Sequence, residues 1–252
     1  MQILDDIYLV GSGRTGIGLS NEYDCHIYLI DGGGEAALID AGSGVDVEPL
    51  LCNIAVHGIA ASKVRTIILT HAHADHSGGA AALRVRLGCG VLVSGAEAKI
   101  VETADARAGG LNVALPFGIY PPGYMMTPCP VDRRLGDGDT VTVGRYTLQV
   151  IATPGHSPGS LCYLVTVAGR QVLFSGDTIQ FCPVAGQTGW ISLLNAPGTD
   201  LNAYRTSVRR LANLNVDALL PGHRLFALCN GQRVIDAVAK GFETLAIPRS
   251  VI

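Results

Sequence analysis

The stretch "THAHADHSGG" (residues 70–79) places three histidines and one aspartate within six positions, from His71 to His76. Histidine is scarce in this chain, with seven in 252 residues, and three of the seven lie in this stretch. The preceding segment, "VRTIILT" (64–70), is a short apolar run rich in β-branched residues and predicts a buried strand. The donors therefore begin where a strand ends, which is where ligands bind in open α/β sheets.

Three further donors repeat this placement, because each directly follows another predicted strand. They are His156, Asp177 and His223, and a glycine precedes each of them. Glycine lacks a Cβ and permits the tight turn that aims the next side chain across a cleft. The complete set of candidate donors is His71, His73, Asp75, His76, His156, Asp177 and His223.

The number of donors predicts two metal ions rather than one. Five histidines and two carboxylates exceed the needs of one catalytic zinc, which takes about three protein ligands plus water. Seven donors suit two divalent ions about 3.5–4 Å apart, with one carboxylate shared between them. Because the set contains no thiolate, zinc, iron and manganese all remain open.

Composition narrows the class of protein. With 48% hydrophobic and 15% charged residues, the chain can bury a large core. A net charge of −3 and the lack of a basic run argue against a nucleic-acid partner. The sequence has neither a leader-like N-terminus nor an apolar run of about 20 residues, so no membrane association is predicted. Seven scattered cysteines without a C-x-x-C pair favour reduced thiols, and hence a cytoplasmic protein.

The remaining sequence predicts many strands with helices between them. Strands are predicted at 7–13, 25–33, 35–42, 64–70, 90–95, 140–153, 160–169, 170–177 and 216–223. Helices are predicted at 45–57, 77–88, 96–106, 200–215 and 230–245, with Ser77 and Asp200 as N-caps. Two segments without a clear period, 107–139 and 178–199, are predicted to be loops that shape the site. Two sheets packed face to face, with helices outside, would bury this many apolar strands.

The motifs resemble those of the metallo-β-lactamase fold superfamily. "HAHADH" (71–76), His156, Asp177 and His223 occur in that family's order, and "LIDAG" (38–42) fits its first motif. The resemblance implies an α/β (α+β) fold: a four-layer αββα sandwich of two mixed β-sheets flanked by helices, in a single domain over residues 1–252.

The same resemblance implies a role for each donor. His71, His73 and His156 would bind the first metal ion. Asp75, His76 and His223 would bind the second, and Asp177 would bridge the two. Asp40, in the first motif, would support these ligands rather than bind metal itself.

Three departures from the family pattern narrow the branch of the family. An aspartate at Asp177, where true class B β-lactamases commonly have cysteine, is similar to the glyoxalase II, lactonase and nuclease branches. Only the residues 224–252 follow His223, which is less than the long C-terminal helical region of glyoxalase II. Acyl-homoserine lactonases typically have a tyrosine three residues past the bridging aspartate, and this chain has Gln180 there.

These observations support three hypotheses about function. The leading one is a hydrolase with two divalent ions, for which zinc is expected before iron or manganese. A hydroxide that bridges the ions would attack an ester, lactone or thioester carbonyl of a small molecule. Asp75 and Asp177 are its candidate catalytic residues, and no substrate-binding residue is assigned. The second is sulfur oxidation at a single iron, as in persulfide dioxygenases, and the third is a metal-binding module without activity. A homodimer is left open.

Other conspicuous residues receive a structural interpretation. His26, inside an apolar strand, is predicted to be a satisfied core histidine, and His57 to lie at a helix C-terminus. "GSGRTG" (11–16) lacks the spacing and the lysine of a phosphate-binding loop and is interpreted as a flexible turn. A pocket role and a packing role are both left open for Tyr120, Tyr124, Met125, Met126 and Phe181, while Cys182 and Cys229 are interpreted as small buried hydrophobes.

Overall fold

Two large mixed β-sheets form the centre of the computed structural model, which describes residues 1–184, 187–192 and 196–243. The first sheet holds seven strands in chain order: β1 (Gln2–Leu4), β2 (Ile7–Gly11), β3 (Ile27–Asp31), β4 (Ala36–Ile39), β5 (Val64–Ile68), β6 (Gly90–Ser94) and β7 (Arg133–Leu135). Strands β1 to β4 are antiparallel to their neighbours, and β4 to β7 are parallel. The change of direction after β4 brings the carboxyl ends of β4, β5 and β6 to one edge.

The second sheet contains β8 (Thr140–Val143), β9 (Tyr146–Ala152), β10 (Leu161–Val167), β11 (Arg170–Gly176) and β14 (Ala218–Pro221). Their spatial order is β14-β11-β10-β9-β8. Only β11 and β14 are parallel neighbours, so their carboxyl ends also lie side by side. A separate antiparallel pair consists of β12 (Gln180–Val184) and β13 (Gln187–Trp190).

The described residues form the helices α1 (Glu48–Val56), α2 (Ala74–Ser77), α3 (Ala80–Leu87), α4 (Ala98–Thr103), α5 (Leu111–Ala114), α6 (Leu201–Leu211) and α7 (Gly231–Glu243), with 3-10 turns at Ala61–Lys63 and Leu115–Phe117. Helices α1, α3, α4, α6 and α7 cover the outer faces of the two sheets. The carboxylate of Asp200 caps α6 by accepting hydrogen bonds from the backbone N–H groups of Asn202 and Ala203, as predicted. None of the described helices has the length and apolar character needed to cross a membrane.

Three buried clusters confirm the predicted four-layer arrangement. One lies between the first sheet and α1, α3 and α4, a second between the two sheets, and a third between the second sheet and α6 and α7. Strand β3 links the first two clusters, because its side chains alternate between faces. Ile27 and Leu29 pack in the helix-facing cluster, whereas Tyr28 and Ile30 pack between the sheets.

The sequence prediction of local structure was wrong for one helix cap, one strand and the two segments predicted to be loops. Ser77 does not cap a helix: it ends α2, and its hydroxyl donates to the carbonyls of Ala72 and His73. The single strand predicted at 140–153 is a hairpin of β8 and β9, which turns at Gly144 with φ of +54°. The segment 107–139 contains α5, a 3-10 turn and β7, and 178–199 contains β12 and β13. The last two residues of the helix predicted at 230–245 lie outside the described residues.

Candidate metal centre

All seven predicted donors meet at the edge where the strands of both sheets end. His71 and His73 follow β5, Asp75 and His76 lie on or beside the short helix α2, and the other three follow β9, β11 and β14. Within this cluster, three sets of side chains each place their ligand atoms within 4.8 Å of one another. These sets are His71, His73 and His156; Asp75, His76 and His223; and His71, His76 and Asp177.

The first set is a group of three imidazole nitrogens. Nδ1 of His73 lies 3.0 Å from Nε2 of His71 and 3.0 Å from Nε2 of His156. Burial holds the pKa of His71 well below its ordinary value and keeps the ring neutral, the form that binds metal. Tetrahedral ligands at zinc distances are separated by about 3.3 Å, so this spacing fits one divalent ion.

The second set combines a carboxylate with two imidazoles. Oδ2 of Asp75 lies 3.1 Å from Nε2 of His223 and 3.6 Å from Nε2 of His76. The two imidazole nitrogens are themselves 3.3 Å apart. These three atoms therefore surround a second position that a divalent ion fits, next to the first.

Asp177 lies between the two sets, and its two oxygens face different histidines. Oδ2 is 3.6 Å from Nε2 of His156, in the first set. Oδ1 is 3.3 Å from Nε2 of His76 and 3.6 Å from Nε2 of His223, in the second. A carboxylate in this position can bind two ions at once.

Hydrogen bonds on the far side of two rings orient the nitrogens that point into the cluster. Nδ1 of His76 lies 2.8 Å from Oδ2 of Asp40, a buried carboxylate that can only accept when ionised. Nδ1 of His71 is 3.1 Å from the Thr70 hydroxyl, which itself donates to Asp40. In the neutral ring this bond places the proton on Nδ1, so Nε2 would present its lone pair to a metal ion, as metal binding requires.

The charges of the cluster favour ionised carboxylates. Burial alone would raise the pKa of Asp177, but His223 and His76 outweigh it and hold that pKa well below its ordinary value. Burial is likewise outweighed at Asp75, where His76 and His223 lower the pKa of the carboxyl. Burial opposes the charged form of His76, but Cys25, Asp75 and the neighbouring carboxylates raise its pKa well above the ordinary value. Such a concentration of shifted groups is typical of a functional site.

Other residues that support the donors were not foreseen in these roles. Gln180 is fully buried, donates from Nε2 to Oδ1 of Asp177 at 3.0 Å and accepts the backbone N–H of His223 at 3.1 Å. Its amide thus ties the carboxylate that faces both sets to a histidine of the second set. A tyrosine would have to make both bonds through one oxygen, whereas the amide makes them through two separate atoms.

Tyr120 is the second supporting residue, and it comes from the segment predicted to be a loop. Its hydroxyl donates to Oδ1 of Asp75 at 2.8 Å and accepts the backbone N–H of Asp75 at 3.1 Å. Its ring stacks on that of Tyr124, with ring centres 5.1 Å apart. The packing and pocket interpretations both hold for Tyr120, which is buried and also lines the cavity described below.

Glu97 joins the two segments that carry the first set. One carboxylate oxygen accepts the backbone N–H of Ala72 at 2.7 Å, and the other accepts that of Gly159 at 2.9 Å. Ala72 lies between His71 and His73, and Gly159 lies three residues past His156. Glu97 follows β6 closely, so the signal of a polar residue after an apolar strand would have found it.

The turn at 11–16 also takes part in the site, contrary to its interpretation as a flexible turn only. The Thr15 hydroxyl lies 2.8 Å from Nδ1 of His223, and the Thr15 carbonyl accepts the backbone N–H of Arg224 at 2.9 Å. Arg14 donates to the carbonyls of Gly118 and Ile119, each at 3.3 Å. The turn therefore connects the last donor with the segment 107–139.

The residues given a structural interpretation lie outside the three donor sets. His26 is buried with Nε2 2.9 Å from the Arg224 carbonyl, but its Nδ1 finds no partner among the described residues, so it is only partly satisfied. His57 is the C-cap residue of α1, as predicted, and its Nε2 lies 2.7 Å from the N-terminal amine. Cys229 is exposed, so the burial predicted for it was wrong, and Cys182 is only half-buried. Of the aromatic and methionine residues that were left open, only Tyr120 lines the cavity; Tyr124, Met125, Met126 and Phe181 do not.

A cavity of about 360 Å³ opens directly onto the donors. His73, Asp75, His156, Asp177 and His223 form part of its wall. The rest comes from Arg14 and Thr15, from residues of the segment 109–120, and from Ser192, Ala196 and Arg224. Both segments that were predicted to shape the site therefore contribute to it.

Comparisons with known proteins agree with this architecture. The sequence model of the Metallo-beta-lactamase superfamily matches residues 21–223. A metallo-beta-lactamase of Cronobacter sakazakii superposes with a TM-score of 0.72 over 97% of this chain and 95% of its own, at 24% identity, which is a likeness of fold.

Three curated relatives are similar to this chain in sequence. A probable metallo-hydrolase of Burkholderia pseudomallei is 29% identical over 74% of this chain and 64% of its own length. A hydroxyacylglutathione hydrolase of Anaeromyxobacter dehalogenans is 35% identical over 62% of this chain and 46% of its own length. An acyl-coenzyme A thioesterase of Gallus gallus is 28% identical over 79% of this chain and 72% of its own length. The chain thus spans less than two thirds of the length of the first two.

Proposed function

Because the chain belongs to the metallo-beta-lactamase superfamily, whose sequence model matches residues 21–223, we propose that it is a hydrolase of small molecules that works with two divalent ions. The observation that carries the proposal is the position of Asp177, whose two oxygens face two separate sets of donors. The ions would be held by His71, His73 and His156 in the first position and by Asp75, His76 and His223 in the second, with Asp177 shared. Zinc is the metal we expect first, since imidazole and carboxylate ligands suit it.

The ions would supply Lewis acidity, which polarises a carbonyl and makes water easier to deprotonate. The protein residues would supply position and charge. Asp75 remains a carboxylate near neutral pH, because His76 and His223 lower its pKa despite its burial. It is therefore available as an anionic ligand for a divalent ion, while the Tyr120 hydroxyl holds its other oxygen in place.

The bond that is broken is proposed to be an ester, lactone or thioester. The names of two relatives, a hydroxyacylglutathione hydrolase and an acyl-coenzyme A thioesterase, favour this acyl chemistry. The presence of Asp177 and the absence of a thiolate from the donor sets fit the same branch of the family. Hydrolysis would add water to the acyl carbon and release a carboxylic acid together with an alcohol or a thiol.

The test begins with the metal content of protein purified without chelators. We expect about two zinc ions per chain, and hydrolysis of at least one member of an ester, lactone and thioester panel. Chelation should abolish the activity, and added zinc should restore it. His156→Ala should lose metal and activity, whereas the matched control His57→Ala removes a histidine outside the donor sets and should lose neither.

Two outcomes would contradict the proposal. Metal-loaded protein that hydrolyses no member of the panel would be a binding module rather than a hydrolase. Close to one iron per chain, together with oxygen uptake in the presence of a persulfide, would instead favour the oxygenase chemistry.

A further inference from the structure

One wall of the cavity is apolar. Val113, Ala114, Phe117 and Ile119, here called the apolar wall, line the cavity from α5 and the turn that follows it. Gly109 and Gly110 continue this surface without side chains. No charged side chain of the segment 109–120 lines the cavity, and its one hydroxyl there, on Tyr120, is bonded to Asp75.

Phe117 lies at the mouth of the cavity and is 74% exposed. An exposed aromatic ring in a cleft costs free energy in water and gains it when an apolar ligand covers the ring. Val113, Ala114 and Ile119 are only partly buried, so each also has surface left to cover. A contiguous apolar surface of this kind at the edge of a polar site marks a place where a ligand binds.

Arg14, one of the two arginines that line the cavity, does not offset this character on the apolar wall. Arg14 already donates to the carbonyls of Gly118 and Ile119 and lies 3.6 Å from Glu22. The Arg14 guanidinium is thus already paired with the Glu22 carboxylate and with two backbone carbonyls. A charged part of a substrate that lay on Val113 and Phe117 would lose its hydration without gaining a partner there.

Resting on the function proposed above, we propose that the substrate is an ester or thioester with an uncharged apolar chain on one side of the scissile carbonyl, and that this chain lies on Val113, Ala114 and Phe117. The volume of about 360 Å³ is at the lower end for small-molecule sites, and it fits a chain of short to medium length. In the reaction, water adds to the acyl carbon, the bond to the leaving oxygen or sulfur breaks, and the proton passes to the leaving group or solvent.

The experiment compares chain lengths with everything else held constant. The acyl series consists of the acetyl, butanoyl and hexanoyl thioesters of N-acetylcysteamine, a small uncharged thiol, and hydrolysis is followed by proton release. The leaving-group series consists of ethyl, butyl and hexyl acetate. Each methylene removed from water is worth about fourfold in an equilibrium constant. Four added methylenes in a half-open cavity should therefore raise kcat/KM by about tenfold or more in one of the two series.

Two variants test whether the preference for longer chains arises at Phe117. In Phe117→Ala, the ratio of kcat/KM for the longest and shortest members of the responding series should fall by about fivefold. Met125→Ala is the matched control, because Met125 belongs to the same segment and is 82% exposed but does not line the cavity. The ratio should stay at the wild-type value in that variant.

The outcomes separate this inference from the function on which it depends. Hydrolysis that is independent of chain length in both series would overturn the apolar-chain assignment and leave the hydrolase proposal intact. An equal fall of the ratio in both variants would also overturn it. Hydrolysis of no member would count against the hydrolase. The apolar wall would then still be tested by calorimetry, in which wild-type protein should bind hexanoate about tenfold more tightly than acetate, and Phe117→Ala should reduce that preference.

Discussion

The two walls of the cavity are built in opposite ways. Four of the seven donors are buried, with His71, His76 and His156 at most 1% exposed, and hydrogen bonds to buried neighbours hold His71 and His76. The apolar wall lies on a four-residue helix and a single 3-10 turn, with Phe117 largely in solvent. The difference teaches that reactivity is placed on rigid strand ends, whereas substrate choice is left to a segment that can change without disturbing the donors.

The largest effect is expected at the centre of the donor wall. Asp177→Asn should lower kcat/KM by about 10³-fold and remove about one of two bound metal ions, because its carboxylate faces both sets. Steady-state kinetics and elemental analysis measure the two effects. Asp137→Asn is the control, since Asp137 pairs with Arg210 on the surface. Wild-type turnover in Asp177→Asn would contradict the assignment of this residue.

The second largest effect is expected at Asp40, the buried carboxylate that orients His76. Asp40→Asn places an amide donor against Nδ1 of His76, which favours the tautomer with a proton on the nitrogen that faces the cluster. Affinity for the second ion should fall by about 10- to 100-fold, and the free energy of unfolding by about 1–3 kcal/mol. Zinc titration against a competing chelator and urea unfolding provide the measurements.

Asp24→Asn is the matched control for Asp40→Asn. Asp24 is also a buried aspartate, and it accepts bonds from Ser20 and Ser43 but lies outside the donor sets. We expect it to lose stability while its metal affinity stays near the wild-type value. Equal losses of metal affinity in the two variants would mean that Asp40 acts through general stability alone.

A smaller effect is expected at Tyr120, which bonds Asp75 of the donor wall and lines the cavity from the segment that carries the apolar wall. Tyr120→Phe removes the hydroxyl bonded to Asp75 and keeps the ring in the cavity, so kcat should fall by about tenfold with weaker binding of the second ion. The selectivity for chain length should not change. Tyr124→Phe removes a hydroxyl that donates to the carbonyl of Ser43 instead, and should affect neither quantity. If both variants behave alike, the effect belongs to the packing of the segment rather than to Asp75.

The smallest effect is expected on the apolar wall. Val113→Ser shortens and polarises one side chain of that wall, so kcat/KM for the longest substrate should fall by about two- to fourfold. Metal content should remain that of the wild type, because Val113 contacts none of the donor sets through a hydrogen bond or charge. Loss of metal in this variant would show that the donor wall depends on the apolar wall.

The residues of the donor wall could be predicted because their signal is local. Each lies just after an apolar strand, and a glycine directly precedes His156, Asp177 and His223. Among the supporting residues, Glu97 follows a strand in a similar way, but Thr15 and Tyr120 carried no such signal. Thr15 and His223 are 208 positions apart, and Tyr120 and Asp75 are 45 positions apart. A pairing over that distance depends on how sheets and loops pack, which no local pattern records.

The sequence by itself determined the layered fold and the set of candidate donors. The alternation of apolar residues decides which strand face is buried, and residue chemistry decides which side chains can bind a cation. Only the tertiary structure decided that Gln180 joins Asp177 to His223, that Tyr120 holds Asp75, and that Phe117 lies at the mouth of the cavity. The physical reason is range: periodicity and residue type act within a few positions, whereas hydrogen bonds and cavity shape depend on distances of a few ångströms between segments that are far apart in the chain.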